Sequence, residues 1–571
     1  MYVDVVPNRN SPPATLIRES RREGKITKKR TVANISHWPS HKVEALRRLL
    51  RDEALFAPDE IFSIERSIPH GHVAAVLGTI RKLGLDTLIG SKPCRERDLV
   101  VAMIAERLIH PCSKLATTRL WHATTLAGET GAADADENDL YAAMDWLLER
   151  QERIEKKLAA RHLAEGGLVM YDVTSSYYEG HTCPLAQRGH SRDGKKGKPI
   201  IVYGALCDGE GRPVAVEVYP GNTGDPTTLP DQVEKLRDRF SLTRVVLAGD
   251  RGLLTQTQID TLKAHPGLGW ISALRSQAIR ALVDSGRLQL TLFDERNLAQ
   301  ITSPDFPGER LVACYNPALA AERRARREAL LAATEKELRA LAAQVARRTR
   351  TPMTAAQIGE KAGRVDNRFK VAKHFELTIG DGSFRFARRE ANIAREAELD
   401  GIYVIRTSEP AERLSGEDAV RNYKRLSQVE QAFRTLKGLD LLVRPIHHRT
   451  EEHVRAHIFL CTLAYYVEWH IRKALAPVLF EDEELDANRL SRDPVRPAKP
   501  SETVRRKKSA KHTPDGLPVH SFDTLLSELG TQCRNQCRMK NDPDSPAFFQ
   551  NTQPTTFQLR VFQLLGLCPV T

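Results

Sequence analysis

The chain has 571 residues, more than one compact core usually accommodates, so roughly three or four structural units are expected. Hydrophobic residues make up 41% and charged residues 28%, which excludes a disordered chain, and no 18-residue apolar run is present that could cross a membrane. Lys and Arg number 86 against 73 Asp and Glu, a net charge of +13 that favours a polyanion such as nucleic acid over acidic proteins or free cations. The nine cysteines are sparse and irregular, which is unlike a disulfide framework and fits a reducing cytoplasm. Cys533 and Cys537 form only a CxxxC pair, without the second pair that zinc would need. The N-terminus lacks the charged start and apolar run of a secretion signal.

Residues 1–60 read as a basic arm: a Pro-bearing polar start, the run RESRREGKITKKR at 18–30, and a helix over 41–55. Residues 61–162 turn helical, with Val76, Leu77, Ile80 and Leu83 on one face, Val100, Met103, Ile104 and Leu108 on another, and Tyr141, Met144 and Leu148 opening a third helix. Basic surfaces on short helices suit a DNA-binding region, and a plain helical bundle would give the same pattern.

The character changes at Gly167. A β-prone run, LVMYDV, begins there, followed by a hairpin over 200–219 turning at Asp208-Gly209-Glu210-Gly211, a helix over 228–240, a buried strand RVVLA, a helix over 254–263 and a strand over 269–274. This order predicts a mixed sheet with helices on its faces, an α/β fold whose first part covers 163–299. Residues 300–415 read as an α+β insertion domain: a long amphipathic helix over 317–348, a hairpin around Gly380-Asp381-Gly382 and a strand over 402–405. Helices resume in 416–485, where IFLCTLAYYV looks fully buried; 486–520 reads as a basic Pro-rich linker and 521–571 as a terminal helical segment.

Two acids lie on apolar strands, which is a costly place for a carboxylate without a counter-charge or a metal. Asp172 is within LVMYDV, and Asp250 ends the second strand before Arg251-Gly252. If those strands are neighbours, both carboxylates emerge at one edge; each alone is also what a capped turn would use. A third element, YKRLSQVEQAFRTLK, repeats Tyr423, Glu430 and Lys437 every seven residues, predicting one helical face; an ordinary Glu430–Arg434 pair at i+4 is the plainer alternative. His453 and His457 stand at i, i+4, but the sequence is not HExxH, and no GxxxxGK[ST] signals a nucleotide cofactor.

YDVTSSYYEG around Asp172, GDRG around Asp250 and the Y-x6-E-x6-K row resemble bacterial insertion-sequence transposases of the Asp-Asp-Glu type, within the group carrying a tyrosine, arginine, glutamate and lysine signature. VVPNRNSPPATLIR, YPGNTGDPTT, the segment 400–407 and HHRTEEHVRAHIFL extend the likeness over nearly the whole chain. The resemblance implies a ribonuclease-H-like sheet interrupted by an insertion domain between the second and third acids, and the long interval from 250 to 430 leaves room for one. It implies that Asp172, Asp250 and Glu430 are catalytic and bind two Mg²⁺, or Mn²⁺, because hard carboxylate oxygens suit those ions and three clustered acids repel without them. It implies that Tyr423 and Lys437 hold phosphates near a transposon end, with Arg425 and Arg434 as further DNA contacts, and Arg188, Arg192, Lys195, Lys196 and Lys198 are basic enough to join them. The family's arginine, three residues after the tyrosine, falls on Leu426, a departure from the signature at that position. The expected protein is a bacterial, nucleoid-associated, metal-dependent transposase that cuts double-stranded DNA at terminal inverted repeats and joins the 3′-hydroxyls to target DNA as a homodimer. A catalytically silent DNA-binding derivative and a nuclease without strand transfer are the alternatives.

Overall fold

The computed structural model describes residues 1–9, 11–53, 61–289, 293–294, 297–438, 440–540 and 544–569, and divides into two compact units. The smaller contains residues 1–71 and 531–554. Its first part is a three-stranded antiparallel sheet, Tyr2–Val6, Ala14–Glu23 and Ile26–Asn34, followed by a helix at Ser40–Leu49. The basic run expected to be an arm is therefore largely a β-hairpin, with Glu19 opposite Arg30 and Arg21 opposite Lys28. The helix expected over 41–55 stops at Leu49, and its last two positions lie outside the described residues. The second part pairs Phe62–Pro69 with Cys533–Met539, which in turn pairs with Phe548–Asn551, so the terminal segment expected to be helical contributes strands as well.

The larger unit is built on an eight-stranded mixed sheet, its strands numbered in chain order: β1 (Leu168–Tyr177), β2 (Ile200–Asp208), β3 (Pro213–Pro220), β4 (Val245–Ala248), β5 (Leu268–Ala273), β6 (Leu298–Ile301), β7 (Arg310–Tyr315) and β8 (Ile402–Thr407). Across the sheet they lie in the order β6-β7-β8-β5-β4-β1-β2-β3, with β4 parallel to β1 and to β5 and every other pair antiparallel. The strand expected at 402–405 is thus part of the central sheet, as is β7. What stands apart between them is the long helix Pro317–Arg347, the helix Ala355–Phe369 and the hairpin Phe375–Gly380/Ser383–Arg388, which share a core of Leu331, Leu338, Leu341, Val345, Ile358, Phe375 and Phe384.

Apolar sequence decides what covers the sheet. β2 is buried along its whole length, and the run Ile458–Val467 of the helix Glu451–Leu475 is buried on all sides, as IFLCTLAYYV predicts. That helix packs against β3 and against the helices Arg95–Ile109 and Glu137–Leu148. The segment expected to be a linker contains two helices, Leu485–Ser491 and Glu502–Ala510. Its basic cluster is only partly solvated: Lys507 is buried because its ammonium donates to the carbonyls of Ala476 (2.7 Å) and Glu481 (3.2 Å).

A buried ionic network anchors the edge strand. Lys235 Nζ lies 3.2 Å from Glu155 Oε2 and 3.1 Å from Glu217 Oε2, and Glu155 Oε1 also accepts from Gln151 Nε2 (2.8 Å) and from the Val216 N–H (3.0 Å). With Lys235 and Glu155 almost wholly removed from water, deleting one partner strands a charge. Lys235→Met is therefore expected to lower the urea unfolding free energy by about 3–5 kcal/mol, and adding Glu155→Gln should restore at least half. A single-variant loss indistinguishable from zero would show that the network contributes nothing.

Candidate active site

β1 and β4 run side by side in parallel, with Met170 opposite Ala248. Two residues further along each chain come Asp172, within β1, and Asp250, in the turn after β4, so the parallel register brings both acids to one level at one edge, as neighbouring strands would require. Asp172 keeps some access to solvent, and its Oδ1 accepts from the Val173 N–H (2.8 Å). Asp250 is exposed; its Oδ1 accepts from the N–H groups of Gly252 (2.9 Å) and Leu253 (2.7 Å), which fixes the turn and leaves the second oxygen without a hydrogen bond among the described residues. Capping and availability for chemistry are thus compatible at this residue.

Glu430 comes from the helix Leu426–Lys437, which packs on β1 through the buried face Val429, Ala432, Phe433 and Leu436. Phe433 meets the Tyr203 ring edge-on at 5.9 Å, and the helix start leans on the β2–β3 turn, where a side chain on Gly211 (φ +85°) would collide with Gln428 Cβ. Glu430 is exposed and makes no ion pair with Arg434, which is exposed too.

Electrostatics ties the acids together. Burial, aided by the charges of Asp250 and Glu430, pushes the Asp172 carboxyl up from its ordinary 3.8 to about 7, against the Val173 N–H and Arg192, which lower it. Tyr423 belongs to the same group: burial, then Asp250, with smaller pushes from Glu430 and Asp172, raises its phenol to about 12, and Arg251 opposes the rise. Asp172 and Tyr423, from separate stretches of the chain, thus both respond to the charges of Asp250 and Glu430. Among the described residues no three His, Cys, Asp or Glu side chains stand close enough to ligate one ion. The donor chemistry nevertheless fits a hard divalent cation, because a carboxyl held neutral by burial and like charges is stabilised as an anion once a cation arrives.

The heptad row does not lie on one helix. Tyr423 belongs to the helix Gly416–Lys424, and a tight turn at Arg425, where the Gln428 N–H donates to the Arg425 carbonyl (2.8 Å), separates it from Glu430 and Lys437. Lys437 is turned into the protein: Nζ donates to the Ser175 carbonyl (2.6 Å) and pairs with Asp193 Oδ1 (3.1 Å). Asp193, with its carboxylate almost wholly buried, also accepts from the Tyr177 N–H (2.9 Å) and pairs with Arg444. Asp193 and Arg444 carry no sequence signal; they sit in a Gly- and Lys-rich loop and beside a proline. Arg192 pairs with Asp225 of the YPGNTGDPTT segment, and Arg425 donates to the Gly209 carbonyl (3.3 Å). Leu426, where the family's arginine would stand, is buried. Arg188, Lys195, Lys196 and Lys198 are exposed. His457 Nε2 bonds the Val443 carbonyl (3.1 Å), and His453 faces Asp145 (3.3 Å).

A family model described as a transposase DDE domain matches residues 165–467, just over half of the chain. No curated protein matches the sequence. Among solved structures the chain is similar to a piggyBac transposase synaptic complex with hairpin DNA (TM-score 0.35, 10% identity, 81% of this chain and 76% of that one). It is also similar to a Mos1 transposase paired-end complex with left transposon end (TM-score 0.15, 13% identity, 30% of this chain and 62% of that one).

A carboxyl protonated more readily in the folded state stabilises the fold fully below its ordinary value near 3.8, and this contribution is lost as pH rises through about 7. Without divalent ions, the stability difference between pH 5 and pH 8 in urea denaturation should therefore shrink by roughly 2–4 kcal/mol in Asp172→Asn. Mg²⁺ should stabilise the parent chain more at pH 8 than at pH 5. Equal pH profiles for the two proteins would contradict the assigned environment.

Proposed function

Because the chain belongs to the transposases with a DDE domain, we propose that it binds the terminal inverted repeats of a mobile element, cuts them by phosphodiester hydrolysis and joins the freed ends to target DNA. The observation that carries this reading is that the parallel register of β1 and β4 brings Asp172 and Asp250 to one level, where the charges of Asp250 and Glu430 both act on Asp172. In the central five strands, β3-β2-β1-β4-β5, a hairpin is followed by parallel neighbours on the other side of β1, which supports the ribonuclease-H-like description.

In the cut, water attacks the phosphorus, the bond to the 3′ oxygen breaks, and the ends leave as a 3′-hydroxyl and a 5′-phosphate. In the joining step that 3′-hydroxyl attacks a target phosphodiester and a target 3′-hydroxyl departs. Asp172, Asp250 and Glu430 would hold two divalent ions, Mg²⁺ or Mn²⁺, whose chemistry when bound is to offset charge on the attacking and leaving oxygens. Tyr423, with its phenol protonated at any working pH, donates a hydrogen bond to a phosphate oxygen beside the acids. Lys437 acts chiefly by position, clamping its helix to β1 through Ser175 and Asp193. Arg192, Lys195 and Lys196 supply positive charge along the approach, Arg434 adds to it from the exposed side of the Glu430 helix, and the helices of residues 72–162 grip the DNA end. Two ends must be held together, so a homodimer assembles on DNA.

The decisive experiment uses DNA carrying the inverted repeats that flank the gene. The purified chain should nick it in Mg²⁺ and not in EDTA, and Asp172→Asn or Glu430→Gln should reduce cutting to background while retarding the same DNA as strongly as the parent. Normal cutting by either variant would overturn the assignment of the acids.

A further inference from the structure

A second site is built where the helices Arg95–Ile109 and Lys114–Leu120 meet the segment leading into the helix Glu451–Leu475. A cavity of about 310 Å³ opens there, with Arg107, Lys114 and Arg444 on its walls, the imidazoles of His447, His448 and His457 beside them, and Tyr141 across from them. Lys114 is 4% exposed, and its ammonium has no hydrogen bond and no ion pair among the described residues. Arg107, equally buried, uses one N–H group on the Cys112 carbonyl (3.0 Å). Arg444 is already paired with Asp193. The one carboxylate on the lining is Glu137, and the buried Glu106, next to Arg107 in sequence, faces His110 at 3.6 Å.

Two buried cations lining one cavity, one of them with no acceptor among the described residues, cost several kcal/mol unless an anion meets them. The histidines do not supply it: His457 bonds a backbone carbonyl, and His448 lies beside it with its ring tilted, at 4.7 Å between centroids. We infer that this cavity is a phosphate-binding site, with Lys114 and Arg107 as the anion's direct partners. A tetrahedral phosphate matches an arginine fork beside a point charge better than a planar carboxylate does. The volume leaves room for more than the phosphate itself, and Tyr141, stacked on His453 at 4.6 Å, offers an aromatic wall for the remainder of a nucleotide. The empty cavity is electrostatically unfavourable, as expected of a site shaped for an anion: burial, aided by Arg107, drives Lys114 down to about 7, and burial with help from Lys114 and Arg107 depresses His448 to about 3. Through Arg444 the site also touches Asp193, and hence Lys437, so an anion here would bear on the helix that carries Glu430.

Isothermal titration of the full chain, in chloride buffer without divalent ions and at fixed ionic strength, tests this with inorganic phosphate, thymidine 5′-monophosphate and thymidine. Phosphate and the nucleotide should bind and thymidine should not. Equal affinity of the first two assigns the site to free phosphate, whereas a nucleotide preference of about tenfold or more assigns it to a nucleic-acid phosphate. Lys114→Met should weaken binding at least about tenfold, the loss expected for one charged hydrogen bond, while Lys114→Arg retains most of it. Lys114→Gln repeats the test if the methionine variant does not fold. Absence of phosphate binding, or affinity unchanged in the neutral variants, would overturn the proposal.

Discussion

The arrangement depends on one unfavourable placement: a carboxylate within a central strand, mostly buried and acted on by the charges of two more acids. Nothing in the pairing of β1 calls for a charge at Asp172: the strand's other positions are mostly buried and its ladder to β2 is continuous. The burial of Asp172 and the charges of Asp250 and Glu430 drive the group toward neutrality at the edge of a parallel strand pair, a cost that either a proton or a nearby cation relieves. The rest of the larger unit can be read as the means of keeping that placement in register. The β1–β4 pairing fixes Asp250 beside Asp172, and a helix docked on β1 brings Glu430 in from far along the chain.

Positive charge near the acids is held by partners rather than left loose. Asp193 gathers Lys437, Arg444 and the Tyr177 N–H, and Asp225 holds Arg192. Cations fixed in this way offset the acids from a distance, as Arg192 does for Asp172, without pairing with them directly. The exposed Lys195 and Lys196, on the same loop as Asp193, have no ion pair with an acid among the described residues and suit a polyanion that arrives and leaves.

Much of the central sheet is legible in the sequence because its strands are short apolar runs bounded by glycine and charged turns; β1, the β2–β3 hairpin, β4 and β5 all follow from that pattern. The N-terminal sheet is not, since Arg18 to Glu23 and Thr27 to Arg30 pair backbone to backbone with charged side chains outward, so no apolar alternation marks them. β8 reads as part of the insertion because sequence neighbours say nothing about which sheet a lone strand joins. The sequence marks Asp172, Asp250 and Glu430 by motif; the cost of a carboxylate among apolar neighbours holds for Asp172, which lies within β1, whereas Asp250 sits exposed in the turn after β4. The heptad row is misleading: equal spacing implies one helix only if the helix is continuous, and the turn at Arg425 breaks it. Lys507 and Asp193 show the same limit from the other side, because both are buried charges in polar stretches whose partners lie elsewhere in the chain.

The account stands or falls on whether three distant acids serve the same ions. Manganese binding, followed by electron paramagnetic resonance of the free ion in the absence of DNA, addresses this most directly. The account predicts that Asp172→Asn, Asp250→Asn and Glu430→Gln each weaken or remove Mn²⁺ binding while leaving the unfolding transition cooperative. Manganese affinity and stoichiometry unchanged in Glu430→Gln would contradict it.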